Sequence, residues 1–170
     1  NAQQKLPIAS ISKLLTAIVI EDEVHSNQIT GNTKVKIDSG TAAISNDPNY
    51  SAIGLQEGQS YTVRELLNAA LVKSADGATM ALSAAAGDSM DEFNMKLQQK
   101  AQDIGLKNYT IVNPVGLNNG DLKSLASKQY SAKAENAMTA TDVAIMTRYL
   151  VDHYPQLLQV TAQKQATFFI

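Results

Sequence analysis

The sequence predicts an α/β fold of the α+β kind, mostly helical with strand material at its edges. Three observations predict it. Residues 14–20, LLTAIVI, form an apolar run inside a segment of helical length. Two Ser/Thr-x-x-Glu signatures, TVRE at 62–65 and SMDE at 89–92, announce helix N-termini. One short segment, TKVKID at 33–38, alternates at the period of a strand.

The elements follow in chain order. Residues 9–24 read as a helix in which Ile11, Leu14, Leu15, Ile18 and Val19 cover most of the circumference, the mark of a buried helix. Residues 33–38 follow as a strand. SNDPNYSAIGLQEGQSY, 45–61, is rich in Asn, Gly, Ser and Pro and reads as loop. Thr62 and Glu65 open a helix over VRELLNAALVKS. A small-residue helix, ADGATMALSAAAG, ends near Gly87 and lets a neighbour approach closely. Ser89 and Glu92 open MDEFNMKLQQKAQDI, closed by Gly105. An extended YTIVNP leads to a polar stretch, 116–135, of which DLKSLASKQYSAKAENA reads as solvated loop. Thr139 and Asp142 cap ATDVAIMTRYLVDHY, which stops before Pro155. A short helix, PQLLQVTAQ, and a terminal strand at ATFFI complete the reading, and no internal repeat interrupts it.

Composition bounds the function. A chain of 170 residues with 44% hydrophobic and 18% charged side chains builds one globular domain. Its formal charge of −2 lacks the basic excess a broad nucleic-acid surface needs. There is no cysteine, hence neither disulfide nor thiolate metal site. No run reaches the ~18 apolar residues of a membrane span, and the N-terminus has no signal-peptide pattern. Both ends read as cut, with Asn1 nine residues before Ser10.

The chemistry centres on Ser10 and Lys13. At i and i+3 of a helix the hydroxyl and the amine share a face. A serine hydroxyl is a poor nucleophile until a base takes its proton, and lysine is that base only where its neutral form is populated. Burial among Ile11, Leu14 and Leu15, with the positive helix N-terminus, lowers the amine's pKa. Spacing alone carries no weight: with 13 serines and 12 lysines, about one Ser-x-x-Lys arises by chance. The alternative is a serine cap with the lysine in solvent. KSADGAT supplies a second cluster in a tight link between helices. There Ser74 can relay protons and Asp76 can hold the lysine, or the segment is an ordinary turn.

Four blocks in order decide between these readings: LPIASISKLLTA, GLQEGQSYTVRELLNAALVKSADGATMALSAAAG, VNPVGLNN and MTATDVAIMTRYLVDHYP. Together they resemble the D-alanyl-D-alanine carboxypeptidases, the low-molecular-mass penicillin-binding proteins, over nearly the whole chain. The resemblance implies the β-lactamase/penicillin-binding-protein transpeptidase-like fold, an antiparallel sheet plus a helical subdomain. Ser10 would be the acylated nucleophile, Lys13 its general base and Ser74 the proton relay to the leaving group. The N–H of Ser10 would be half of the oxyanion hole. The implied substrate is the D-Ala-D-Ala end of a peptidoglycan stem peptide, and β-lactams would acylate the same serine. No cofactor or metal is implied, nor any nucleic-acid partner. The implied location is the outer face of the bacterial cytoplasmic membrane, with any membrane tether outside this chain.

Two departures stand out. The family's Ser-x-Asn motif has Asp76 in place of Asn. Asp76 is kept as a substrate-binding residue that orients Lys13 or marks altered specificity. The Lys-Thr-Gly motif, which would hold the substrate carboxylate, is missing: no Lys here precedes Thr-Gly or Ser-Gly. Residues 1–170 are therefore expected to be one incomplete domain, short of N-terminal strands and of the Lys-Thr-Gly strand, and inactive alone. Two rivals use the same residues. A β-lactamase needs a deacylating glutamate, and Glu135, the only glutamate after Glu92, sits in no matching motif. A non-catalytic module would bind cell-wall peptide without cutting it. His25 and His153 have no ligand-spaced partner, the five methionines read as packing, and Asn113, Pro114 and Gly116 read as a turn.

Overall fold

The computed structural model describes residues 1–87 and 89–167. The chain opens with β1, Leu6–Pro7, and a 3-10 turn, Ala9–Ile11, that leads into α1, Ser12–His25. Then come β2, Lys34–Lys36, α2, Ser39–Ser45, β3, Ser60–Thr62, α3, Val63–Val72, α4, Asp76–Ala86, and α5, Met90–Asp103. The last part holds β4, Tyr109–Thr110, a 3-10 segment at Asn119–Leu125, β5, Ala137–Met138, α6, Ala140–His153, and α7, Gln156–Thr161.

The run LLTAIVI makes α1 the central helix. Leu15, Ile18, Val19 and Ile20 are all buried, on different sides, and α3, α4, α5 and α6 pack around them. Because the helix has no polar face over this stretch, it is stable only with neighbours all round. The expected first turn at 9–11 differs from the structure: it is 3-10, because Ala9 adopts a φ of +44 and Ser12 N–H reaches back to Ala9 O and Ser10 O.

The acidic tail of α1 opposes the negative end of the helix and is offset by cations from α5. Glu23 pairs with Lys96 at 2.7 Å and Asp22 with Lys100 at 2.7 Å. Tyr154 OH donates to Asp22 Oδ1, and Gln156 Nε2 donates to Glu21 at 3.1 Å. One run of three acids thus ties α5, the end of α6 and α7 to the central helix. We expect Asp22→Asn to lower stability by about 1–2 kcal/mol, read as a fall in denaturation midpoint with an unchanged slope.

Both signatures cap their helices, the first as a full capping box. Thr62 Oγ1 accepts Glu65 N–H at 3.2 Å while Thr62 N–H donates to Glu65 Oε2 at 2.7 Å. Ser89 Oγ accepts Glu92 N–H at 3.2 Å. The small residues of α4 admit α2, which lies in a stretch for which the sequence suggested no element. A Cβ on Gly77 would stand 2.4 Å from Ser45 Cβ.

Two small antiparallel sheets flank the helices. In one, β5 lies between β1 and β4, with Met138 opposite Leu6 and Tyr109. In the other, β2 pairs with β3, placing Val35 opposite Tyr61. β2 falls inside the expected strand, whereas β3 was expected as loop. The expected terminal strand at 166–170 ends in residues 168–170, which lie outside the described residues. A second, small core of Ile44, Met80, Val115 and Leu122 joins α2 and α4 to the segment after Asn113.

Candidate active site

Ser10, Lys13, Ser74 and Asp76 converge. β1 delivers the chain to the 3-10 turn, which leaves Ser10 exposed, while the first turn of α1 carries Lys13 inward to 3% exposure. Lys13 Nζ lies 2.8 Å from Ser10 Oγ, 3.1 Å from Ser74 Oγ and 2.7 Å from Asp76 Oδ1. Three oxygens match the three hydrogens of an ammonium ion. When the amine is free, its lone pair replaces one of these donors and can accept the Ser10 proton.

Ser74 occupies the link between α3 and α4 with a φ of +58, a left-handed conformation uncommon outside glycine. That conformation lets the chain reverse within Lys73–Ala75, where Ala75 N–H donates to Ala69 O at 3.2 Å. Asp76 then begins α4. Its Oδ2 accepts Ser51 N–H at 3.0 Å, and Ser51 O accepts Asp76 N–H at 3.3 Å. The 46–59 loop is thereby fastened to the residue that faces Lys13.

Burial pushes the Lys13 amine below its ordinary pKa. The hydrogen bond and charge of Asp76 push it back up, and burial prevails.

The VNPVG loop packs beneath the turn that carries Ser10. Gly116 has a φ of +86, and a Cβ there would lie 1.9 Å from Ala9 O. Thr16 Oγ1 donates to Pro114 O at 2.8 Å. Asn113 Oδ1 accepts the N–H groups of Val115 and Gly116 at 3.1 and 2.7 Å, so the expected turn is present. Asn136 completes it: its Oδ1 accepts Val112 and Asn113 N–H, and its Nδ2 donates to Asn113 O at 2.7 Å.

Asn136 and Thr16 were missed by sequence reasoning. Asn136 closes a stretch expected to be solvated, yet it is 1% exposed, and Ser127 and Asn119 are buried with it. No signal in the sequence marked Asn136, because its partners, Val112 and Asn113, lie more than 20 positions away. Among the described residues no group of three or more His, Cys, Asp or Glu side chains could hold a metal ion.

A family model described as D-alanyl-D-alanine carboxypeptidase matches residues 1–170. The chain belongs to that family. D-alanyl-D-alanine carboxypeptidase DacF of Bacillus subtilis is 31% identical over 117 residues, 69% of this chain and 29% of the relative. A solved structure of a peptidoglycan synthesis regulatory factor (PBP3) from Streptococcus pneumoniae superposes with a TM-score of 0.93 at 35% identity. It covers 98% of this chain and 45% of that one. Penicillin-binding protein D2 of Listeria monocytogenes in its cefotaxime-bound form shares the fold, at a TM-score of 0.80 and 23% identity. That match covers 99% of this chain and 61% of that one. The helices around α1 and the small antiparallel sheets are therefore the mostly helical portion of the penicillin-binding-protein fold. The carboxypeptidase-family chain spans well under half the length of the first curated relatives it matches.

Proposed function

We propose that this chain carries the acylation machinery of a serine D-Ala-D-Ala carboxypeptidase that trims peptidoglycan stem peptides. The observation that supports it is the buried Lys13 amine, 2.8 Å from the Ser10 hydroxyl, with its pKa lowered by burial. Ser10 Oγ attacks the penultimate carbonyl carbon as its proton passes to Lys13 Nζ. The C–N bond to the terminal D-alanine breaks, and the proton reaches the leaving amine through Ser74, which lies 3.1 Å from Nζ. Water then attacks the ester on Ser10, giving the shortened peptide and the free hydroxyl. The N–H of Ser10 serves as one donor to the oxyanion. A β-lactam enters by the same attack and opens its ring onto Ser10.

The domain is completed outside these residues, in this reading, by further strands and a Lys-Thr-Gly segment that binds the substrate carboxylate. Peptidoglycan as substrate places the protein on the outer face of the bacterial cytoplasmic membrane. Among the described residues no helix is long and apolar enough to cross a membrane.

Intact-mass measurement with penicillin, on a longer chain that supplies the third motif, tests the proposal. The wild type is expected to gain one covalent adduct and to release D-alanine from D-Ala-D-Ala peptides. Ser10→Ala is expected to lose both while keeping its melting temperature, because Ser10 is exposed. An adduct that persists in Ser10→Ala, or none on folded wild type, overturns it.

A further inference from the structure

The oxygens of Asp76 are divided between two partners. Oδ2 accepts Ser51 N–H at 3.0 Å and Oδ1 faces Lys13 Nζ at 2.7 Å, with both side chains nearly inaccessible to water. The Ser51 N–H dictates that an oxygen points toward it. An amide at this position would therefore turn its NH2 group toward Lys13. An NH2 group only donates, so it fits the lone pair of a free amine and opposes a third ammonium hydrogen. A carboxylate oxygen does the reverse.

We propose that Asp76 is the positioning residue that sets the pH at which Ser10 becomes competent, by holding Lys13 as an ammonium ion to a higher pH than an amide would. This deepens the carboxypeptidase reading above and rests on it. The groups around the pair leave Asp76 as the charge that decides. Ser10 comes from the 3-10 turn, Ser74 from the α3–α4 link and Ser51 from the 46–59 loop, all uncharged. Lys73, at the end of α3, is exposed. Farther along the loop, Tyr50 feels Asp76, and Asp47 pairs with Lys123. Lys96 and Lys100 of α5 are engaged at the other end of α1. Asp142, at the start of α6, is held by Thr139 and by the N–H groups of Lys107 and Asn108.

The sign follows from the role. The free amine is the reactive form, so acylation rises with pH through the Lys13 pKa, and removing the carboxylate lowers that pKa. An opposite charge at this separation is worth about one unit or more. At any pH below both midpoints, each unit of lowering raises the free-amine fraction about tenfold.

Two readouts on the longer chain test this. The first is the carbon-13 resonance of the Lys13 ε-carbon, titrated in wild type and in Asp76→Asn. Its midpoint should fall by about one unit or more in the variant. The second is the acylation rate with a fluorescent penicillin, whose acidic limb should move to lower pH by the same amount. A role confined to packing would change stability and leave both midpoints in place. Asp76→Ser, which also removes the charge, serves should the amide variant fail to fold. A midpoint that stays or rises overturns the proposal. A wild type that titrates as expected yet forms no adduct overturns the carboxypeptidase reading instead.

Discussion

On the proposed function, Lys13→Ala in the longer chain is expected to lower the rate at which Ser10 is acylated by about a thousandfold, some 4 kcal/mol of barrier. The proposed base is removed, while the hydroxyl stays on its 3-10 turn, held by β1 and the VNPVG loop rather than by Lys13. The substitution also leaves the Asp76 carboxylate buried without its cation, a cost of about 3–5 kcal/mol in stability. These two effects separate in the pair Lys13→Ala with Asp76→Ala. Stability should recover in the double variant because the unpaired charge is gone, while acylation should not. Melting temperature and stopped-flow acylation rates, measured on the wild type and both variants of the longer chain, check this. Recovery of acylation in the double variant would mean that Lys13 acts on the fold and not on Ser10.

Gly116→Ala is expected to be the most damaging single methyl group in the chain. The left-handed φ of +86 is costly for any residue with a Cβ, and the new carbon would fall 1.9 Å from Ala9 O and 2.6 Å from Ser12 Oγ. The backbone oxygen does not yield easily, whereas the Ser12 hydroxyl must rotate away. Ala9 O belongs to the backbone that presents Ser10, and Ser12 opens the central helix. Strain and overpacking together predict a loss of about 3–5 kcal/mol. On the longer chain, what survives folded should acylate about a hundredfold more slowly, since a shift of Ala9 displaces Ser10. Denaturant unfolding and acylation kinetics check both figures. Gly58→Ala is the control: its φ of +81 carries the same conformational strain, but nothing lies within 4 Å of the new carbon.

Features governed by local chemistry were legible in the sequence. The Thr62 and Thr139 caps need only the side chain and the amide three residues on, and both form as expected. The central helix was legible because seven apolar or small residues in succession, LLTAIVI, leave no polar face. Features set by partners distant in the chain were not. β3 is a strand because Lys34–Lys36 pairs with it, and SYT alone carries no signal strong enough to say so. The 3-10 turn at Ala9–Ile11 is approached so closely by the Gly116 backbone, from a loop 107 positions away in sequence, that a Cβ there would lie 1.9 Å from Ala9 O. Asn136 read as solvated because its charged neighbours are, while its own side chain satisfies three backbone groups of another loop.

The candidate site divides the same way. Ser10 and Lys13 meet across the junction of the 3-10 turn and α1, where the i, i+3 spacing that predicted their contact still brings them within 2.8 Å. The arrival of Ser74 and Asp76 at Lys13 needs α3 and α4 packed on α1. The order of four sequence blocks suggested that packing, and the distances of 3.1 and 2.7 Å now give it. The opposed influences of burial and Asp76 on the amine could be named from residue types. That burial prevails required the full surroundings of Lys13.

The most direct test of whether Lys13 supplies the base to Ser10 is chemical rescue of Lys13→Ala by methylamine. Acylation should return in proportion to the concentration of unprotonated methylamine, with the penicilloyl group mapped to Ser10, and Ser10→Ala should show no rescue. Acylation of Lys13→Ala at the wild-type rate with no amine added would contradict the account.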